Sequence, residues 1–348
     1  MNRAGAAIGR LLLGSLLPLA PAMASGAELG MQFTHHDWTL ACDNTRTCRA
    51  AGYQGYNDEL AVSVLLTREA GPRAAVSGQL MLGQYEEAVG PVELSLHIDG
   101  RDLGPVDGAS VDGSVALSSV HVASLLHAVT GETDIAFVAD DGRRWQLSDK
   151  GATAVLLKMD EFQGRLHTPG ALVRQGTRSE DTVLPPLRAP TIHLAAVAPT
   201  RPGDERLLSN PDLRNALQEN LPDDEECRGL EPEEWNESAE IERLDDDTML
   251  VSVRCWMGAY NVGRGFWVVD AVAPYRPRLV TTDAEYHEAG IIGASQKGRG
   301  LGDCWWQASW AWNGGAFVKS SELTTGICRL VAAGGAWNMP TFVSELAP

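Results

Sequence analysis

The chain has 348 residues, with 46 acidic side chains against 28 Lys and Arg, for a formal net charge of -18. That balance argues against nucleic acid and anionic membrane surfaces as partners, since both would be repelled. The length is too great for one ordinary domain and fits two.

The N-terminus predicts export. Arg3 and Arg10 precede the apolar run Leu11–Ala20, and Ala22-Met-Ala24 supplies the small-x-small pattern of a cleavage site. Residues 1–24 therefore read as a signal peptide. The apolar run is too short to span a bilayer, and no later segment of the sequence is long and apolar enough to do so. Periplasmic localisation, with secretion as the alternative, follows.

Cys42, Cys48, Cys227, Cys255, Cys304 and Cys328 form an even set in an oxidising compartment, so disulfides are expected. The simplest pairing is sequential: Cys42–Cys48, Cys227–Cys255 and Cys304–Cys328. The spacing lacks the Cys-x-x-Cys and paired His of a zinc site, and neither a metal nor a cofactor is expected.

In chain order, residues 25–184 predict a β-sandwich-like domain with packed helices. Strands are expected at Trp38–Cys42, Leu60–Thr67, Ala75–Leu82 and Val92–Ile98, where apolar residues alternate or cluster with β-branched ones. Val120–Val129 has helical spacing. The hairpin Ile135–Val138 and Arg144–Leu147 follows, then a helix capped by Ser148 and running to about Phe162, with Ala152, Val155, Leu156 and Met159 as its buried stripe. Five prolines between Thr182 and Gly203 mark residues 185–203 as an extended linker.

Residues 204–348 predict a smaller, disulfide-stapled β-rich domain, giving an α+β protein that is mainly antiparallel β. Asn210 and Pro211 open a short helix reaching Leu221. Between Glu219 and Asp247 fourteen acids face only Arg228 and Arg243, whereas from Thr248 onward seven acids meet eight bases. This acidic stretch reads as a solvated face; Ca²⁺ bound by Asp223, Asp224, Glu225, Glu226 or Asp245–Asp247 is the sharper alternative, without the glycine-turned loop calcium usually requires.

The stretch Gly298–Phe317 is the most distinctive. Trp306, Ala308, Trp310 and Trp312 alternate with Gln307, Ser309 and Ala311, which puts the large residues on one face of a strand. Asn313-Gly314 supplies a hairpin turn. Gly298-Arg-Gly-Leu-Gly-Asp-Cys304 must be a loop feeding that strand. Core packing is expected for Trp306, Trp310 and Trp312, and exposure for Trp305. Arg299, Asp303, Trp305, Trp310 and Trp312 are the candidate ligand- or partner-contacting residues, although Arg299 and Asp303 could instead pair and fix the loop.

No Gly-x-Ser-x-Gly, Ser-x-x-Lys, His-Glu-x-x-His or Walker loop occurs, and paired cysteines leave no nucleophilic thiol. His35-His36-Asp37 is the only histidine cluster, read as a solvated tail. His121 and His127 do not share a helix face. No catalytic residue is assigned.

Met159-Asp-Glu-Phe-Gln-Gly-Arg165, Gly258-Ala-Tyr-Asn261 and Gly298–Cys304 together resemble an exported, six-cysteine Gram-negative family known only as domain of unknown function 1176. The resemblance implies fold and location and brings no activity or catalytic residues. The N-terminal half, through Trp38…Cys42, Leu94–Gly100, Val120–Val129 and Ser148–Gly151, is also distantly similar to the invasion-associated locus B proteins, which implies a periplasmic β-sandwich.

The expected function is a non-catalytic periplasmic binding or envelope-maintenance module using Gly298–Phe317, its partner an envelope protein or a glycan. The alternative is a cell-wall or glycan-directed hydrolase or enzyme inhibitor. The hydrolase form would need Asp303 and Glu285 or Glu288 as a carboxylate pair within about 5–9 Å.

Overall fold

The computed structural model describes residues 30–83, 85, 93–106, 110–111 and 113–348. The expected signal peptide and Val92 lie outside them. The architecture is mainly antiparallel β with few helices.

In the N-terminal portion, the strands are β1 (Met31–His35), β2 (Trp38–Cys42), β3 (Cys48–Tyr53), β4 (Val62–Arg68), β5 (Val76–Leu82), β6 (Leu94–Ile98), β7 (Arg101–Pro105), β8 (Ser110–Val111), β9 (Ser114–Leu117), β10 (Ile135–Ala139) and β11 (Arg144–Leu147). They form a seven-stranded sheet ordered β1-β2-β3-β4-β5-β9-β8 and a four-stranded sheet ordered β11-β10-β6-β7. Helices α1 (Ser119–Ala128) and α2 (Ala152–Phe162) share one core with both sheets. Val62, Val64 and Leu66 enter that core from β4, and α2 adds Ala152, Val155, Leu156 and Met159, the stripe its spacing predicts.

The start of α2 differs from expectation. Gly151, not Ser148, stands at its N-cap with φ 99°. A methyl there would fall 1.9 Å from the His35 carbonyl oxygen, so the close approach of β1 requires glycine. The Ser148 hydroxyl donates instead to Asp37 Oδ2 at 2.7 Å. A strong local cap signal was overridden by a tertiary contact.

The Met159–Arg165 run closes a buried polar centre. Asp160 Oδ2 accepts the amides of Leu172 (2.6 Å) and Val173 (3.2 Å), while Arg68 stands 3.5 Å from its Oδ1. Arg165, fully buried, donates to the carbonyls of Glu69 and Gly71 at 3.0 and 2.7 Å. Gln163 donates to the carbonyls of Arg46 and Arg68, each at 2.9 Å. These bonds fasten the irregular chain after α2 to the sheet, since orphaned buried groups there would be costly.

Residues 185–203 are extended, as proline content predicts, yet they are tied along their length. β12 (Thr191–His193) pairs in parallel with β22 (Glu345–Ala347). The amides of Ala195 and Ala198 donate to the carbonyls of Trp312 and Leu244, each at 3.0 Å.

Beyond them come α3 (Pro211–Glu219), capped by the Asn210 side chain as expected, and α4 (Pro232–Ser238). One four-stranded sheet comprises β13 (Glu240–Arg243), β14 (Thr248–Met257), β15 (Val262–Asp270) and β16 (Arg278–Ala284). A five-stranded sheet comprises β17 (Tyr286–Glu288), β18 (Ile291–Lys297), β19 (Trp305–Trp312), β20 (Phe317–Thr324) and β21 (Met339–Val343). Leu250, Phe266 and Val268 of the first meet Ile292, Trp310, Trp312 and Phe317 of the second in a common core. The opposite face of the first sheet packs Met249, Val251, Val253 and Trp267 under Leu213, Leu217 and Trp235 from α3 and α4.

A separate cluster joins the two portions. Val331, Ala336, Trp337 and Met339 pack on Ala41, Ala51, Tyr53, Leu65 and Met81 of the seven-stranded sheet. The disulfides Cys42–Cys48, Cys227–Cys255 and Cys304–Cys328 are all formed. No helix among the described residues is long and apolar enough to cross a membrane.

Candidate functional site

The Gly298–Cys304 loop leaves β18 and turns back into β19. Gly298 is obligatory at its start, because a methyl there would lie 2.5 Å from Cys304 Sγ and 3.1 Å from Cys328 Sγ. Its amide donates to the Cys304 carbonyl at 2.9 Å, closing the loop's neck. The Asn261 side chain clamps the last residue of β18, accepting from the Lys297 amide and donating to the Lys297 carbonyl, both at 2.9 Å. Gly258-Ala-Tyr-Asn261 and Gly298–Cys304, far apart in sequence, are thus one assembly.

Arg299 and Asp303 do pair. Arg299 donates from Nε and Nη2 to the two Asp303 oxygens at 2.7 and 2.5 Å, a fork geometry. The Leu330 amide adds a bond to Asp303 Oδ2 at 2.7 Å. Burial alone would push the Asp303 carboxyl up, but the Arg299 fork and the Leu330 amide outweigh it and hold it below the usual carboxylate range. Asp303 is 2% exposed and serves to fix the loop, leaving no free carboxylate for catalysis. Asp303, Cys304 and Cys328 lie close enough to suggest a metal trio. Both sulfurs are in a disulfide, however, and the carboxylate is occupied by Arg299.

The tryptophans divide along β19. Trp310 and Trp312, both expected as contact residues, are buried in the core between the two C-terminal sheets, Trp312 at 1% exposure. Trp306 packs partly against the same core. Trp305, expected to be exposed, is half-buried: its indole donates to the Gly302 carbonyl at 2.9 Å, and Lys297 Nζ lies 5.3 Å from the ring centroid. The hairpin forms, but its connection holds four residues, Asn313 to Ala316, because Asn313 Oδ1 accepts the amides of Gly315 and Ala316 at 3.0 and 2.9 Å.

Sequence reasoning missed other side chains gathered here. Tyr56 is 83% exposed, with the Arg329 guanidinium 5.4 Å from its ring centroid. Arg329 also pairs with Asp37, joining the two portions. The Tyr260 ring stands beside Gly300, where a methyl would come within 3.4 Å of it. Leu301 is 55% exposed, and its carbonyl accepts from the Tyr85 hydroxyl at 2.6 Å. Tyr56 and Tyr85 lie near Arg299, whose guanidinium the Asp303 fork holds more firmly in its charged form. The paired tyrosines around Gln54-Gly55 and the Tyr within Gly258–Asn261 were the available signals. Nothing local to either turn reveals that the fold brings it to the Gly298 loop.

Neither alternative chemistry is assembled. The Glu285 amide pairs with the Gly293 carbonyl, four strand residues before Lys297. At the usual rise that places Glu285 about 13 Å short of the Asp303 end, and Glu288, opposite Ile291, lies farther still. In the acidic segment, Asp246 pairs with Arg201, and Arg243 takes the carbonyls of Asp245 and Asp246 at 3.1 and 2.8 Å. Glu225 accepts from Thr282 at 2.7 Å. These oxygens are divided among different partners.

No solved structure matches this chain. An uncharacterised protein of Escherichia coli (strain K12), YpfG, is 26% identical over 333 residues, covering 87% of this chain and 89% of that protein. The similarity to the invasion-associated locus B proteins is not among the matches found. A family profile described as "Protein of unknown function (DUF1176)" matches residues 32–344, and the chain belongs to that family.

Proposed function

We propose that this protein is an exported, non-enzymatic binding module that engages a protein partner in the envelope through the loop cluster around Gly298–Cys304. The observation that carries this reading is the exposed set Tyr56, Tyr260 and Leu301 beside Arg299, Arg329 and half-buried Trp305. Tyr, Trp and Arg dominate interface energetics because they combine large apolar area with directed polar groups. The Gly258–Asn261 and Gly298–Cys304 loops are already ordered by a disulfide, an ion pair and the Asn261 clamp, and the Tyr56 loop by Gln54 donating to the Arg329 carbonyl, which lowers the entropic cost of association.

Export is supported by the N-terminal sequence and by three disulfides. We also propose two folding units meeting near residues 185–203, supported by the separate hydrophobic cores on either side. A photo-crosslinking residue placed at Tyr56 or Tyr260 in the intact envelope tests the binding reading. One discrete crosslinked species, lost on Leu301→Asp, is expected. Equal labelling from a control at Val120, on the exposed face of α1, would sink it.

A further inference from the structure

The outward face of the seven-stranded sheet is only partly covered. Trp337 and Met339 seal its centre, and the neighbouring Ala332–Asn338 loop arches over the rest, leaving a cleft of about 670 Å³. This volume suits a small ligand. We propose that the cleft is a binding site for a neutral saccharide of one or two rings, separate from the loop cluster.

Charge is the first argument. The chain carries -18, yet among the described residues no acid lines the cleft. Arg49 is the single ionisable residue among the described residues lining it, and its guanidinium is neutralised by the buried Asp43 carboxylate at 3.0 Å. An electrically neutral cleft in a strongly acidic protein fits an uncharged ligand, since an ion would be desolvated there without an unpaired counter-charge.

The kind of hydrogen bonding is the second. Arg49 pairs with Thr67, Leu65 with Gln79 and Met81 with Ser114 in adjacent ladders, so the backbone of this wall is already satisfied. A bound peptide draws its affinity from main-chain bonds at a sheet edge, which a sheet face cannot supply. What the face offers is hydroxyl and carboxamide side chains: Thr67, Gln79 and Asn338. Each both donates and accepts, as a sugar hydroxyl does. Gln79 already donates to the Ser114 hydroxyl at 3.2 Å, leaving its carbonyl oxygen available.

Shape is the third. Leu65, Met81 and Trp337 form an apolar wall alongside these polar groups, matching the apolar C–H face and polar rim of a sugar ring. The far wall is held in place because a methyl on Gly335 would strike Thr325 Oγ1 at 1.9 Å, and the Gly334 amide donates to the Gly302 carbonyl at 2.8 Å.

The test is saturation-transfer NMR and calorimetry on the mature, disulfide-intact protein. The probes are maltose, N-acetylglucosamine and its β-1,4 dimer, with trialanine as the peptide comparison. Saturable binding of at least one saccharide is expected, weakened about tenfold by Gln79→Leu through loss of one hydrogen-bonding partner. Thr67→Trp, which fills the cleft from a partly exposed sheet position, should abolish it at an unchanged melting temperature. Three results would each overturn the proposal: no binding by any of the saccharides, tighter binding of trialanine, or loss of saccharide binding in Tyr56→Ala with retention in Gln79→Leu.

Discussion

Asp160 and Asp303 are both buried carboxylates with an arginine and backbone amides around them, yet their acidities move in opposite directions. Burial pushes Asp160 up, and the Val173 and Leu172 amides and Arg68 do not offset it. Burial also pulls on Asp303, but there the Arg299 fork and the Leu330 amide win. The difference is geometric. Both Asp303 oxygens receive a guanidinium bond, at 2.7 and 2.5 Å. Arg68 stands 3.5 Å from Asp160, whose Oδ1 has no hydrogen-bond partner. Arg68 is itself pushed down to about 10 by its own burial, while Arg299 keeps part of its hydration. A buried charge is stabilised by aligned donors, and proximity alone does not replace them.

The sharpest way to break this comparison is to remove each carboxylate. Asp303→Ala should cost about 3 kcal/mol in urea unfolding, because it frees the Gly298–Cys304 loop and strands the Leu330 amide. A loss below about 1 kcal/mol would show that the ion pair is incidental. The neutral isosteres come next. Asp303→Asn should cost about 1–2 kcal/mol more than Asp160→Asn, since Asp160 is already held nearer its protonated form. Equal losses would remove the distinction.

Arg299→Lys keeps the charge and loses the fork, so a loss of about 1 kcal/mol is expected, with crosslinking from Tyr56 weakened as the loop loosens. The smallest effect lies in the pH dependence. Asp303, with its acidity strengthened on folding, contributes stability that is present above the unfolded carboxyl range and lost as pH falls through its lower folded value. Asp160, shifted upward, has the opposite sign: its ionised form opposes folding, and that opposition fades on acidification. Melting curves between neutral and acidic pH should therefore be flatter in Asp303→Asn than in wild type and steeper in Asp160→Asn.

The tryptophan strand makes a related point about what a side-chain pattern encodes. Alternation in β19 put Trp306, Ala308, Trp310 and Trp312 on one face, because strand periodicity is local, although Ala311 on the other face is buried as well. It could not say that a second sheet, supplying Leu250, Phe266 and Val268, would cover them. Nor could it say that Lys297 would lie over Trp305. Ser148 failed as a helix cap for the same reason. Its hydroxyl is used by Asp37, more than a hundred residues away in sequence.

By itself, the sequence determined the elements whose causes are local. These are the strand runs, the α2 stripe, the Asn210 cap and the β-rich character; the sequential disulfides and the Arg299–Asp303 pair were one option each in the sequence, and the structure selected them. Tertiary structure decided what depends on distant chain. It brought Tyr56 and Tyr260 to the Gly298 loop, sealed Trp310 and Trp312, and left the outward sheet face open as a cleft beneath Ala332–Asn338. Periodicity and turn chemistry act over a few residues. The energy of burying one face against another depends on a partner that no single stretch of sequence contains.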